Sequence, residues 1–175
     1  MQHVPTLADQ TARGSNQSGM RAHNERLVLS LIRRSGPTSK AEIARLTGLS
    51  AQTVSVIMRA LEADGLLRKG ARVRGRVGQP SVPISLNPEG AFFLGLMLGR
   101  RSVELILTDF QGQVTRHSSE VYDHPSPAAV MEFATLALRN TLASLSADQL
   151  ARVAGLGVAL PFGMWEWRVA SGDLS

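Results

Sequence analysis

The spacing of apolar residues changes along the chain and divides it into a helical front part and a back part made mainly of strands. From residue 24 to about residue 65, apolar side chains recur every three or four positions, as they do on one face of an α-helix. From Ala91 onward they form short runs or alternate with polar residues, which is the pattern of β-strands. The sequence therefore predicts an α+β protein with two structurally different parts.

The front part begins with two predicted helices. Asn24 is expected to cap the first, whose apolar stripe ends before Ser35-Gly36-Pro37 and consists of Leu27, Val28, Leu31 and Ile32. Ser39 opens the second helix, and Glu42 stands three residues later. This spacing predicts a capping box that satisfies two free amide donors. Ile43 and Leu46 are expected to face inward, and Gly48 to form a tight turn.

A third helix follows that turn and has two different faces. Ser50 is its predicted cap, Gly65 its left-handed end, and its apolar stripe is Val54, Ile57, Met58 and Leu61. The side chains off this stripe near the N-terminal half are mostly short or amide-bearing: Gln52, Thr53, Ser55, Val56 and Arg59. Such side chains can approach base edges or phosphates. Two capped helices joined by a tight turn predict a helix-turn-helix.

A basic, glycine-rich segment from Leu66 to Leu86 follows and predicts the wing of a winged helix-turn-helix. A first strand begins at Leu66, and the prolines of residues 80–86 mark the return strand as an edge strand. Between the strands, arginines flank Gly75 on a tip that suits a narrow minor groove. Contact with phosphates alone is the alternative. The predicted DNA-binding residues are Ser39, Ser50, Gln52, Thr53, Ser55, Arg59, Arg68, Lys69, Arg72, Arg74 and Arg76.

The distribution of charge supports a nucleic-acid partner for the front part only. The whole chain of 175 residues has a formal net charge of +5. Residues 1–86 hold 13 lysines and arginines against 5 acidic residues, whereas residues 87–175 hold 6 against 9. A basic front and a mildly acidic back suggest two units with different partners.

Other features of the composition narrow the class of protein. The chain has no cysteine, which favours a cytoplasmic location and excludes disulfides and thiolate metal sites. No run of about 18 apolar residues is present, so no membrane span is expected. Residues 1–19 are polar and predict a flexible arm. The histidines show no ligand spacing and no acidic pair is placed for acid-base chemistry, so neither a cofactor, a metal nor a catalytic residue is expected.

The back part predicts an α/β unit. Its strand candidates are residues 92–98, 102–109, 113–121 and 153–160, and its helix candidate runs from about Ala128 to Leu145. The last strand, Val153 to Leu160, is apolar throughout and is expected to be buried on both faces.

The order of these motifs resembles that of the ROK family (repressor, open reading frame, kinase) from about Met20 to the end of the chain. The resemblance rests on the helix-turn-helix, Gly78-Gln79-Pro80 at the end of the wing, Phe93-Leu94-Gly95, and the segment from Gly155 to Pro161. It implies a winged helix-turn-helix over residues 20–86, and over residues 87–175 an incomplete sugar-kinase-like domain of the ribonuclease-H/actin fold. It further implies a homo-oligomeric repressor of sugar-utilisation genes, released from double-stranded operator DNA by a sugar or sugar phosphate.

Two departures from the family bear on activity. Kinase members carry an acidic residue, paired glycines and a threonine in the first hairpin, where this chain has Leu98-Gly99-Arg100-Arg101-Ser102. The groups that hold nucleotide and magnesium are therefore missing. The two arginines are interpreted as a solvated tip rather than a phosphate site.

The second departure is length. Family members continue past Ser175 into the catalytic-type aspartate, the sugar contacts and a zinc site, so the chain is expected to be a fragment or a truncated product. Trp165 and Trp167 are expected to pack against those further segments, with sugar stacking as the alternative. A sugar effector is expected only if the further segments are present. A sugar kinase with a DNA-binding head and a winged-helix protein-interaction module are the alternative functions.

The wing hypothesis makes a measurable prediction. Arg74→Ala combined with Arg76→Ala is expected to weaken DNA binding, because two cations that face phosphates are lost. The plot of log Kd against log salt concentration should flatten by roughly one unit for each lost phosphate contact. An unchanged slope would contradict the assignment of this segment as a wing.

Overall fold

A computed structural model of the chain describes residues 7–71, 82–123 and 126–161, with side chains described from Ser18 onward. The chain divides into two compact units, Met1–Asn87 and Pro88–Ser175. Within the described residues, every helix is too short or too polar to cross a lipid bilayer.

The first unit consists of three helices and a small sheet. Its elements are α1 (Leu7–Ser35), α2 (Lys40–Thr47), α3 (Ala51–Ala63), β1 (Leu67–Lys69) and β2 (Ile84–Leu86). The predicted apolar stripes form its core, which includes Val28, Ile32, Ile43, Val54, Ile57, Met58, Leu61, Leu67, Ile84 and Leu86. The three helices pack against one another because each contributes a stripe of these side chains.

The first helix is longer than predicted. It begins at Leu7, so the expected start at Asn24 is wrong, and residues 7–19 of the predicted flexible arm are helical. Apart from Leu7 the segment of residues 7–19 lacks large apolar side chains, but no proline interrupts the chain between Pro5 and Pro37. Arg21 donates to Glu25 across the expected start, at 2.8 Å and with the i, i+4 spacing that supports an exposed helix.

The small sheet holds the base of the wing. β1 and β2 are antiparallel, with Leu67 opposite Leu86 and Lys69 opposite Ile84. On its other side Ile84 exchanges two backbone hydrogen bonds of 3.0 Å with Thr38. Ile84 thus has a backbone partner on both sides, but the sheet itself is two-stranded and β2 lies at its edge, as the prolines predict. Pro83 fits here because it lies before β2 and uses its carbonyl, which accepts from the N–H of Gly70.

The second unit is a four-stranded mixed sheet with one long helix. It contains a 3₁₀ turn (Pro88–Gly90), β3 (Phe92–Leu98), β4 (Ser102–Thr108), β5 (Val114–Val121), α4 (Pro127–Ala143), α5 (Ala147–Leu150) and β6 (Val153–Ala159). The strand order is β5-β4-β3-β6, and β6 runs parallel to β3 whereas the other neighbours are antiparallel. The predicted strands and helix of this unit are therefore present within two residues of their expected ends.

One face of this sheet carries the core of the second unit. Alternate side chains of β3 and β4 are buried with Val130, Ala134 and Ala137 of α4. α4 packs mainly against β4 and β5. β6 lies at the other edge of the sheet, and all of its residues except Val153 are exposed. The expectation that this strand is buried on both faces is therefore wrong for the described part of the chain.

Two polar side chains fix the connections between the strands. The carboxylate of Asp109 accepts the N–H groups of Gln111 and Gln113, each at 2.9 Å, and so closes the turn that precedes β5. The hydroxyl of Tyr122 lies 2.8 Å from the carbonyl of Gly99 and 3.0 Å from that of Ser102. Burial raises the pKa of Tyr122, which favours the protonated phenol that donates these hydrogen bonds.

The two apolar side chains of α2 differ in burial and should differ in their contribution to stability. Ile43 is 0% exposed, whereas Leu46 is 46% exposed, so the expectation that both face inward holds only for Ile43. Ile43→Ala is expected to lower the free energy of unfolding by about 2–5 kcal/mol, because it leaves a cavity. Leu46→Ala is the matched control and should cost well under about 1 kcal/mol. Urea unfolding of both variants tests this, and equal losses would contradict the burial of Ile43 alone.

Candidate nucleic-acid interface

A tight turn of three residues orients α3 against α2. Gly48 adopts a left-handed conformation with φ of 71°, and its N–H donates to the carbonyl of Ala44 at 3.0 Å. Any residue with a Cβ is strained in this conformation, which explains the glycine. Ser50 then caps α3 by accepting the N–H of Thr53 at 3.1 Å. The chain therefore makes a sharp turn between α2 and α3 over residues 48–50, as in a helix-turn-helix.

The start of α2 is capped by one hydrogen bond instead of the two predicted. The hydroxyl of Ser39 accepts the N–H of Glu42 at 3.2 Å. The Glu42 carboxylate does not return to Ser39 but binds the guanidinium of Arg45, at 2.6 and 2.9 Å. This bidentate bond between two charged groups is stronger than a bond to a neutral amide, and it lowers the pKa of Glu42. The predicted capping box is therefore only half formed.

α3 has one buried face and one exposed face, as predicted. Val54, Ile57, Met58 and Leu61 are buried. On the opposite face the side chains of Gln52, Val56 and Arg59 are exposed, and those of Thr53 and Ser55 are half-buried. An exposed face of small and amide-bearing side chains fits the width of a DNA major groove. We call the exposed residues Gln52, Val56 and Arg59, together with the half-buried Ser55, the reading face.

Two of the predicted contact residues on α3 are already engaged in its cap. The hydroxyls of Ser50 and Thr53 are 2.8 Å apart, and Ser50 also accepts the backbone N–H of Thr53. Arg59 donates from Nε to the carbonyl of Ser55 at 3.3 Å, which directs its side chain back toward the N-terminal half of α3. Gln52 and Arg59 are thus the long polar side chains of the reading face, while Ser50 and Thr53 shape its first turn.

The two cations of β1 have different surroundings. Arg68 donates from Nε to the hydroxyl of Ser85 at 3.3 Å and remains exposed. Lys69 forms an ion pair of 2.7 Å with Glu62, whose side chain is only 18% exposed. The second carboxylate oxygen of Glu62 is buried and has no hydrogen-bond partner within the described part of the chain. The charge of Lys69 is therefore partly neutralised before any phosphate approaches.

The structure places eight of the eleven predicted contact residues. Ser39 caps α2, five lie on α3 or at its cap, and two lie on β1, and both α2 and β1 pack against α3. Arg72, Arg74 and Arg76 lie outside the described residues. The role of Glu62 is not predicted from the sequence. The turn at Gly65 places Glu62 opposite Lys69. The two residues are seven positions apart in the sequence, and this separation alone does not predict their ion pair.

These features define a winged helix-turn-helix DNA-binding domain. Residues 21–68 match the family described as winged helix-turn-helix DNA-binding. The described fold resembles that of a solved ROK family transcriptional regulator, a homologue of the E. coli MLC protein, with a TM-score of 0.58. This match covers 81% of the chain and 36% of that structure, at 24% identity.

The chain is also similar in sequence to characterised and uncharacterised relatives. A transcriptional regulator of Mycobacterium bovis is 38% identical over 88 residues, which are 49% of this chain and 20% of that protein. The xylose repressor of Bacillus spizizenii is 21% identical over 84% of this chain and 38% of that protein. An uncharacterised protein of Sinorhizobium fredii is 29% identical over 79% of this chain and 35% of that protein. The chain spans between 20% and 38% of the length of these relatives, and the predicted resemblance to ROK-family regulators is confirmed.

The ion pair between Glu62 and Lys69 should limit the number of cations that face DNA. Glu62→Gln removes the carboxylate at nearly constant shape and releases the Lys69 charge. DNA binding is expected to strengthen at low salt, and the slope of log Kd against log salt should steepen by up to about 0.9 for one added phosphate contact. Asp148→Asn, the same charge change on α5 of the second unit, is the control and should leave the slope unchanged. Equal slopes for Glu62→Gln and the parent protein would show that Lys69 does not face a phosphate.

Proposed function

We propose that the first unit binds double-stranded DNA in a sequence-specific manner. In this proposal the N-terminal half of α3 enters the major groove, and Arg68, Lys69 and the arginines of the wing contact the backbone. The observation that carries the proposal is the capped α3, which follows a tight turn and presents a polar reading face opposite a fully buried stripe. The free N–H groups at the start of α2, beside Ser39, suit a DNA phosphate.

The relatives support a regulatory role. The named relatives are transcriptional regulators, and one is a xylose repressor. We propose that this chain is the operator-binding part of a cytoplasmic repressor of sugar-utilisation genes. The second unit would form part of a domain that binds a sugar or sugar phosphate, and binding of that effector would release the operator.

We also propose that two copies bind together. Helix-turn-helix proteins usually recognise half-sites one helical turn apart, or multiples of it, as symmetric dimers. A palindromic operator is therefore expected. Effector binding would act by changing the separation of the two DNA-binding units.

A sugar kinase with a DNA-binding head is the first alternative. The hairpin between β3 and β4 argues against it, since its tip carries Arg100 and Arg101 in place of an acidic residue and paired glycines. Tyr122 also occupies the carbonyl groups of Gly99 and Ser102 at the two sides of this tip. Hexose-dependent ATP hydrolysis, measured with a coupled assay, would support the kinase instead.

A protein-interaction module is the second alternative. The exposed basic side chains of β1 and the further arginines of the wing favour a polyanion over a protein partner. Salt-insensitive binding to a protein, with no affinity for DNA, would support this alternative.

Selection of genomic DNA fragments by the purified chain at ~150 mM salt tests the proposed function. At that salt concentration non-specific binding is weak, with Kd of roughly 10⁻⁴–10⁻⁶ M. Sequencing of the bound fragments is expected to reveal one enriched palindromic motif. Broad recovery without a motif would contradict sequence-specific binding.

The same selection tests the reading face. Gln52 is exposed in the first turns of α3, where a helix-turn-helix contacts base edges. Gln52→Ala is expected to remove about 1–3 kcal/mol of discrimination at one base pair of each half-site, because the amide can no longer bind a base edge. Gln113→Ala, an exposed glutamine of the second unit, is the control and should leave the motif unchanged. Retention of the full motif by Gln52→Ala would exclude Gln52 from recognition.

A further inference from the structure

One apolar side chain interrupts the polar reading face of α3. Val56 is 48% exposed, and it is the sole large apolar residue of α3 that is exposed in the described structure. The helix holds its remaining large apolar side chains, Val54, Ile57, Met58 and Leu61, in the core. Val56 therefore contributes little to the packing of the unit, and its apolar surface is available to a partner of α3.

The position of Val56 places it beside the predicted polar contacts. Val56 follows Gln52 by four residues, so the two side chains are neighbours on the helix surface. Arg59 stands three residues further on along the same exposed face. Because valine is branched at Cβ, a helix restricts it to one preferred rotamer, and its methyl groups are held in a fixed direction before any partner binds.

Only one apolar group is displayed by base edges in the major groove. Guanine, cytosine and adenine present hydrogen-bond donors and acceptors there, whereas thymine presents a C5-methyl group beside its O4 acceptor. A valine that faces the groove cannot form hydrogen bonds with a donor or acceptor, and it would leave such a group without water or partner. Contact between Val56 and the thymine methyl group removes the apolar surfaces of both groups from water.

We infer that Val56 is a specificity-determining residue that reads the C5-methyl group of a thymine in each half-site of the operator. This inference rests on the proposed function, since it requires α3 to lie in the major groove. Four residues of α-helix advance by about 6 Å, and successive base pairs are about 3.4 Å apart. The thymine is therefore expected one or two base pairs away from the base pair that Gln52 contacts.

Replacement of single thymines by deoxyuridine tests the inference, because it removes the methyl group and leaves base pairing unchanged. The probe is the palindromic operator obtained from the genomic selection, with each thymine of the half-site replaced in turn in both half-sites. Binding is measured by fluorescence anisotropy at ~150 mM salt. For the parent protein, one position is expected to weaken binding by about fourfold per half-site, the effect of one buried methyl group. 5-Bromouracil at this position should restore binding, since bromine has about the size of a methyl group.

The variant Val56→Ala assigns the effect to this side chain. It should bind the unmodified operator more weakly and should no longer distinguish thymine from uracil at the sensitive position. Alanine is a strong helix former at an exposed site, so α3 is expected to fold as before, which far-UV circular dichroism verifies. Val114→Ala, an exposed valine of the second unit, is the control and should retain the sensitivity to uracil.

The outcomes separate this inference from the proposed function. If an operator is obtained but no thymine is sensitive to uracil, the inference is wrong and sequence-specific binding stands. If one thymine is equally sensitive with Val56→Ala, another residue reads the methyl group and the inference is also wrong. If the selection yields no operator, both are overturned. Sensitivity that disappears only with Val56→Ala supports the inference.

Discussion

The backbone pairing of Ile84 with Thr38 is the constraint on which the geometry of the DNA-binding unit depends. Two hydrogen bonds of 3.0 Å join these residues, which lie 46 positions apart, and both are buried. Ile84 also pairs with Lys69 on β1, so one residue ties the segment before α2 to the strand after α3. Because buried N–H and C=O groups without partners are costly, this pairing fixes where α2 begins and where the wing leaves the unit. The side chain of Ile84 then enters the same core as the helices.

Charge pairs within the unit divide its cations into those held by protein and those open to DNA. Arg45 is bound by Glu42, and Lys69 by Glu62. The count of 13 lysines and arginines in the front part therefore overstates the number of positive charges that face a phosphate. Exposed pairs contribute little to stability, about 0–1 kcal/mol. Their main effect is consequently on the number of counterions that DNA releases on binding, which sets the dependence of affinity on salt.

The elements of the two units were predictable where local chemistry determines them, and unpredictable where a distant partner does. Ser50 and Gly48 act within a few residues of the chain, and both adopt the conformation that their chemistry indicates. Leu46 was assigned to the core because the helical period alone does not reveal how far the covered face extends. β6 was assigned to a buried position from its apolar composition, but burial depends on which elements cover a strand. Likewise Glu42 could bind either Ser39 or Arg45, and only the folded geometry decides.

The same distinction between local and distant determinants applies to the candidate DNA-binding interface. The exposed face of α3 follows from the buried stripe, since each residue advances about 100° around the helix and four buried positions fix the orientation of the rest. Stability and recognition are therefore carried by different residues of one helix. Substitutions at Gln52, Ser55 or Val56 change the chemistry offered to the groove and leave Val54, Ile57, Met58 and Leu61 in the core. A helix built in this way can acquire a new operator sequence without a loss of stability, because the residues that read DNA do not hold the unit together.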